Sequence, residues 1–184
     1  MSARGVILYG PPTSGKDTIT DEVTRQDGRF SLLLKLKAGT GRTTGYRLVS
    51  YQMLEALDRA GRLVAETHRY RNIYAVDRED VQAIVDRGQI PIVHMGNVAD
   101  LRSLRDGIPL DWLCVLLWVP REVCAERSAN RGDTDTPSRL RAWDETLADL
   151  QTVEVDKVFG LTINTDQFNP AQAAKQIITT VSQP

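Results

Sequence analysis

Short unbroken apolar runs alternate along this chain with segments whose apolar positions recur every three or four residues. Unbroken runs mark strands buried on both faces, and the wider spacing marks helices with one buried stripe. "GVILYG" (5–10) reads as a buried first strand, followed by a helix from about Lys16 to Arg25. "FSLLLKLK" (30–37) reads as a second strand, and "SYQMLEALDRAG" (50–61) has helical spacing with a glycine stop. "RLVAETH" and "NIYAV" are short strands around a turn. The plainest helix is "DREDVQAIVDRG" (77–88), with Asp77 to cap it, Val81, Ile84 and Val85 as its stripe, and Gly88 to end it. "IPIVHM" (90–95), "DWLCVLLWV" (111–119) and "LTIN" (161–164) complete the strands, with helices near 97–105, 121–129, 138–150 and 170–181. The alternation predicts an α/β fold built on a central, mostly parallel five-stranded sheet flanked by helices, in a single domain spanning 1–184.

Composition narrows the classes. Among 184 residues, 23 Lys and Arg balance 24 Asp and Glu, so no global field advertises nucleic acid or an anionic membrane, and any basic site must be local. No repeat, low-complexity tract or linker interrupts the chain. The first apolar run is far too short for a signal peptide or a membrane span. Cys114 and Cys124 fall inside apolar elements without metal-ligand spacing, so the expectation is a soluble cytoplasmic protein with reduced thiols.

The first candidate chemistry is "GPPTSGKDT" (10–18), between the first strand and first helix. Gly10, four residues, then Gly15-Lys16 is the spacing of a loop that cradles phosphate with backbone N–H groups at a helix N-terminus. Pro11 and Pro12 have no N–H, so the donors come from Thr13, Ser14, Gly15, Lys16, Asp17 and Thr18. Lys16 reaches the β and γ phosphates in such a loop, and Thr18 is available to the α-phosphate. Asp17 stands where a hydroxyl residue would hold magnesium. A carboxylate beside a triphosphate is repelled unless a cation lies between them, so Asp17 and Thr18 are the candidate Mg2+ residues. The alternative is that Asp17 only favours the positive end of the helix.

"AERSANRGDTDTPSRL" (125–140) sets Arg127 and Arg131 on one helical face, with Arg139 beyond a polar segment. Arginines around a closing loop suit neutralisation of a transferring phosphoryl group, and the alternative is a solvated basic helix end. "INTD" (163–166) offers Asn164 as a wall for an adenine ring.

Together these stretches resemble the guanylate kinase-like family of small P-loop kinases over nearly the whole chain. The resemblance implies a P-loop NTPase fold with an acceptor-binding insertion at about 37–76 and an arginine-bearing lid at about 127–139. It implies ATP and Mg2+ as cofactors. "KAGTGRTTGYRLVS" (37–50) occupies the acceptor-loop position, and "HRYRNIYAV" (68–76) is similar to the segment that ends in a phosphate-binding tyrosine. By this likeness Tyr46 and Tyr74 fall on acceptor-phosphate tyrosines, and Lys37 falls near an acceptor arginine, with Arg42 beside it. Arg127, Arg131 and Arg139 fall on lid arginines, and Asn164 on the adenine-side asparagine. The chain departs from guanylate kinases proper. Ala65 sits at the guanine-reading glutamate's position, Val76 replaces a serine, and "IVHMGN" lacks the acidic pair that ends the third strand. The loss of those partners leaves little with which to select guanine.

Ribose 1,5-bisphosphate phosphokinases, a second branch, look more similar at several points. They carry Gly-Lys-Asp-Ser/Thr, as Asp17-Thr18 do, and a His six residues before Tyr-Gly-Val, similar to His68 and Tyr74. Their Gly-Ser-type turn resembles "MGNVADL" (95–101), which brings Asn97 to the acceptor side.

The residues themselves leave the attacking atom open. A phosphate acceptor needs no protein base, whereas a hydroxyl acceptor does, and the candidates are His94, His68, Glu66 and Asp100. His94 also reads as a structural strand-end residue bonded to neighbouring backbone. Lys35, Lys37, Arg42, Arg47, Arg69 and Arg71 outnumber the acids near the acceptor region, and alternation puts Lys35 and Lys37 on one side. Trp112 and Trp118 read as core, and Trp143 as more open. The expectation is an ATP-dependent phosphotransferase acting on a small phosphorylated acceptor, GMP-like or ribose 1,5-bisphosphate. The alternatives are a kinase for a metabolite hydroxyl and a non-catalytic binding module. Neither nucleic acid nor membrane is an expected partner.

Overall fold

The computed structural model describes residues 3–41, 43–69, 71–132 and 135–183. In chain order its elements are β1 (Arg4–Tyr9), α1 (Lys16–Gln26), β2 (Phe30–Leu32), β3 (Lys35–Ala38), β4 (Tyr46–Leu48), α2 (Tyr51–Arg59), β5 (Leu63–Arg69), β6 (Asn72–Asp77) and α3 (Arg78–Asp86). They continue with β7 (Ile90–Met95), α4 (Val98–Gly107), β8 (Asp111–Trp118), α5 (Arg121–Asn130), α6 (Thr136–Leu150), α7 (Val155–Val158), β9 (Leu161–Asn164) and α8 (Pro170–Ser182).

Five strands form an all-parallel sheet in the order β2-β7-β1-β8-β9, with β1 at its centre. Alternate residues of β1 enter two cores, which is why its sequence is an unbroken apolar run. Ile7 and Tyr9 pack with α3 and α4 through Val81, Ile84, Leu101 and Leu104. Val6 and Leu8 pack with α1 and α8 through Ile19, Val23, Ala174 and Ile177. Gly5 lies under the Trp112 ring, where a Cβ would come within 2.4 Å of a ring carbon.

The 30–37 run is not one strand. Phe30–Leu32 pairs with β7 in the parallel sheet, whereas Lys35–Ala38 enters a second, four-stranded sheet ordered β4-β3-β6-β5. The edge strand β4, absent from the sequence-based expectation, pairs parallel to β3 with Lys35 opposite Tyr46. One face of this second sheet packs on α2 through Leu36, Ala38, Leu54, Leu57 and Ala75. Its other face looks toward the carboxyl ends of β1 and β7. Asp77, its side chain fully buried, ends β6, caps α3 through the Glu79 N–H (3.0 Å) and accepts from Arg62 Nε (3.1 Å). Trp143 is core rather than open: it is buried against Trp118, with ring centroids 5.1 Å apart, and its Nε1 donates to the Val119 carbonyl.

Candidate active site

The loop after β1 is shaped by three backbone demands. At Gly10 a Cβ would lie 2.2 Å from the Leu117 carbonyl oxygen, so only glycine lets the loop pass over β8. Gly15 takes φ 86° as it starts α1, and no side chain caps the helix at that residue. Between them Thr13 is held at φ 61°, a left-handed conformation that is rare for a β-branched residue. Lys16 Nζ donates to the Gly10 (2.6 Å) and Pro11 (3.0 Å) carbonyls.

Helix α5 supports the loop from behind. Cys124 Sγ donates to the Pro12 carbonyl at 3.4 Å. One turn on, Arg127 Nη1 donates to the Thr13 carbonyl and to Thr165 Oγ1, both at 3.0 Å, and Nη2 donates to the Thr165 carbonyl at 2.5 Å. Ser14 is fully buried beneath the loop.

The loop forms one wall of a cleft of about 390 Å³. The facing wall comes from the second sheet: Lys35 on β3, Thr44 and Tyr46 around the start of β4, Thr67 on β5 and Tyr74 on β6. The Tyr46 and Tyr74 rings lie 5.2 Å apart, and Lys37 Nζ sits 5.6 Å from each centroid while donating to the Thr40 carbonyl at 2.7 Å. Lys37 is therefore buried beneath the tyrosines, and the β3 lysine that lines the cleft is Lys35, two residues earlier. Burial pushes the Lys35 ammonium down to about 8, opposed only in part by the Asp100 carboxylate. Among the described residues no carboxylate stands within ion-pair distance of it. Asp100 itself accepts hydrogen bonds from the Thr67 hydroxyl and from Asn97 Nδ2 (2.7 Å).

Asp17 and Thr18 are exposed at the start of α1, where they line the cleft. His94, at the end of β7, lines it too. Its Nε2 is 2.8 Å from the Thr20 hydroxyl and its Nδ1 is 3.6 Å from Asp17 Oδ1, so side chains of α1 take part in holding it. Among the described residues no three His, Cys, Asp or Glu converge as a metal cluster. A divalent cation beside Asp17 would complete its shell with phosphate oxygens and water, which suits the carboxylate and hydroxyl donors present. Arg131, closing α5, and Arg139, in the first turn of α6, line the cleft from the lid side.

Several expected site residues lie elsewhere. His68 points away from the cleft: on β5 it alternates with the cleft-lining Thr67, shares the opposite face with Glu66, and its Nε2 is 2.6 Å from Glu66 Oε1. Asn97 caps α4, its Oδ1 accepting the Asp100 N–H at 2.7 Å, and it supports Asp100 instead of lining the cleft. Asn164 pairs with Trp118 at the end of β9, outside the cleft lining. Arg42 lies outside the described residues. Thr67, not expected at the site, carries no motif; only the pairing of β5 with β6 brings it there.

The whole architecture is similar to that of the guanylate kinase from Anaplasma phagocytophilum. The likeness covers 99% of this chain and 88% of that one, with a TM-score of 0.68 at 11% identity. It is also similar to an unliganded sugar kinase from Janibacter sp. HTCC2649, over 98% of this chain and 96% of that one, with a TM-score of 0.56 at 20% identity. No family model and no curated protein matches the sequence. The fold is that of the guanylate kinase-like P-loop kinases. Among the described residues no helix is long and apolar enough to cross a membrane.

Proposed function

We propose that this chain is an ATP-dependent phosphotransferase that moves the γ-phosphoryl group of Mg-ATP to a small phosphorylated acceptor, a nucleoside monophosphate or ribose 1,5-bisphosphate. One observation carries the reading: a single cleft has a phosphate-cradling loop on one wall and Lys35, Tyr46 and Tyr74 on the other. The kinase fold shared with the two solved structures supports it.

In this reading Lys16 leaves the loop carbonyls for the β and γ phosphates, and the amides from Thr13 to Thr18 hold the remaining oxygens. Asp17 and Thr18 would hold magnesium, which supplies positive charge between the carboxylate and the triphosphate. Arg131 and Arg139 neutralise the charge that spreads over the transferring group. Lys35 and the two tyrosine hydroxyls hold the acceptor's anion, with Lys37 supporting the tyrosines from below. An ionised phosphate oxygen is already a nucleophile, so catalysis is positioning plus charge stabilisation. A second reading, transfer to a hydroxyl, is favoured by His94, which lines the same cleft within reach of Asp17 and is a candidate base.

An ATP-dependent turnover screen over GMP, other nucleoside monophosphates, ribose 1,5-bisphosphate and non-phosphorylated sugars tests both. Turnover confined to phosphorylated acceptors is expected. Turnover confined to the neutral sugars would replace the first reading with the second. ATP binding without any turnover would point to a binding module. Lys16→Ala is expected to abolish transfer in a protein that still unfolds cooperatively; undiminished turnover in it would overturn the phosphotransferase assignment.

A further inference from the structure

We infer that Arg127 is a positioning residue of the nucleotide loop, holding Thr13 in its left-handed conformation instead of reaching the transferring phosphate. The inference rests on the nucleotide reading above. The guanidinium makes three hydrogen bonds among the described residues, all of them to the protein itself: to the Thr13 carbonyl, the Thr165 hydroxyl and the Thr165 carbonyl. Arg127 is absent from the cleft lining, which includes Arg131 and Arg139. The lid-type arginines thus divide into one brace and two that face the ligand.

Thr13 needs a brace. It sits at φ 61°, where a β-branched side chain crowds its own backbone. Its hydroxyl is buried and has no hydrogen-bond partner among the described residues, so no hydrogen bond of the side chain holds the conformation. The conformation nevertheless matters. With Gly15 at φ 86° it sets two left-handed residues within three positions, and backbone that alternates in hand in this way can form an anion-binding concavity. The other end of the brace is anchored. Thr165 follows β9, its N–H donates to the Trp118 carbonyl at 2.8 Å, and its hydroxyl to the same oxygen at 3.2 Å. Arg127 thereby ties the loop after β1 to the end of the β8-β9 pair.

A cycle between strain and brace tests this. Arg127→Lys keeps the charge and loses the fork that serves both threonines. Thr13→Gly removes the strain, because glycine adopts positive φ without penalty. Binding of ATP, ADP and inorganic tripolyphosphate is measured by calorimetry for the native chain, each single variant and the double variant. Arg127→Lys is expected to weaken all three ligands by a similar factor of about ten. In the Thr13→Gly background that loss is expected to shrink to about threefold or less. Melting temperatures without ligand are expected to show the same coupling, with Thr13→Gly the more stable chain.

Equal losses in the two backgrounds would overturn the brace. So would a loss confined to ATP, which would put Arg127 on the γ-phosphate. The native chain separates the two layers: if it binds none of the three ligands, the nucleotide reading fails and this inference with it. Binding that shows no coupling between residues 13 and 127 overturns the brace alone.

Discussion

Replacing Lys35 with methionine removes a charge from the cleft and keeps the length of the side chain. The folded protein pushes this ammonium from 10.5 down to about 8. That difference of about 2.5 pH units, at about 1.4 kcal/mol per unit, means the charged lysine costs the fold about 3 kcal/mol. The sign follows from proton counts. Between about pH 8 and pH 10.5 the unfolded chain holds a proton that the folded chain has released, so native stability rises with pH across that window. Below about pH 8 both states are protonated and the whole penalty is present. Lys35→Met is therefore expected to be more stable than the native chain by about 3 kcal/mol near neutral pH, with the gap closing toward pH 10.5. Urea denaturation of both proteins across this range reads the gap directly, and other groups that titrate cancel in the difference. A gap that stays constant or widens with pH would refute the reasoning. So would a methionine variant less stable than the native chain at neutral pH. The same variant should bind phosphorylated acceptors poorly, because methionine offers an acceptor anion no charge in place of the buried ammonium.

Two further outcomes are accessible to stability and binding measurements. Asp77→Ala removes a fully buried carboxylate that caps α3 and pairs with Arg62, with Arg47 3.6 Å away; chemical denaturation should show a loss of about 3 kcal/mol. Gly10→Ala drives a methyl group into the Leu117 carbonyl, 2.2 Å from its ideal position; it should cost about 1–3 kcal/mol and weaken ATP binding. Gly28→Ala, with open space around the added carbon, serves as the control and should do neither.

The parallel sheet was legible because its strands are buried on both faces, and burial leaves a plain apolar run. The second sheet was not. "LLLKLK" continues the apolar run of β2 without a break, and nothing in its periodicity marks where the chain changes sheets. Tyr46–Leu48 lies on an edge, with Leu48 half exposed, so it lacks the alternation of a buried strand. Alternation did place Lys35 and Lys37 on one side, but which of them meets the cleft depends on the Tyr46 and Tyr74 rings covering Lys37. The likeness that suggested His68 for the acceptor side is one of spacing, and spacing says nothing of which face of β5 a residue takes. The register of β5 shifts between Leu63 and Ala65, and only the folded pairing reveals which of Thr67 and His68 faces inward. The glycine loop needed no such knowledge, because its spacing alone marks the turn between β1 and α1.

The two residues between β2 and β3 carry a consequence for how such a cleft changes. Leu33 is buried and donates its N–H to the Ile92 carbonyl at 2.8 Å, whereas Leu34 is exposed, so the strand leaves one sheet and joins the next almost without slack. Side chains alternate from there, which makes the electrical character of the cleft floor a matter of odd and even counting. One residue inserted at this joint, if it slipped the β3 register by one, would turn Leu36 into the cleft and drive both lysines against α2. Two inserted residues would restore the pattern. Length variation at this joint is therefore tolerable only in pairs, whereas a surface loop of the same size tolerates any number.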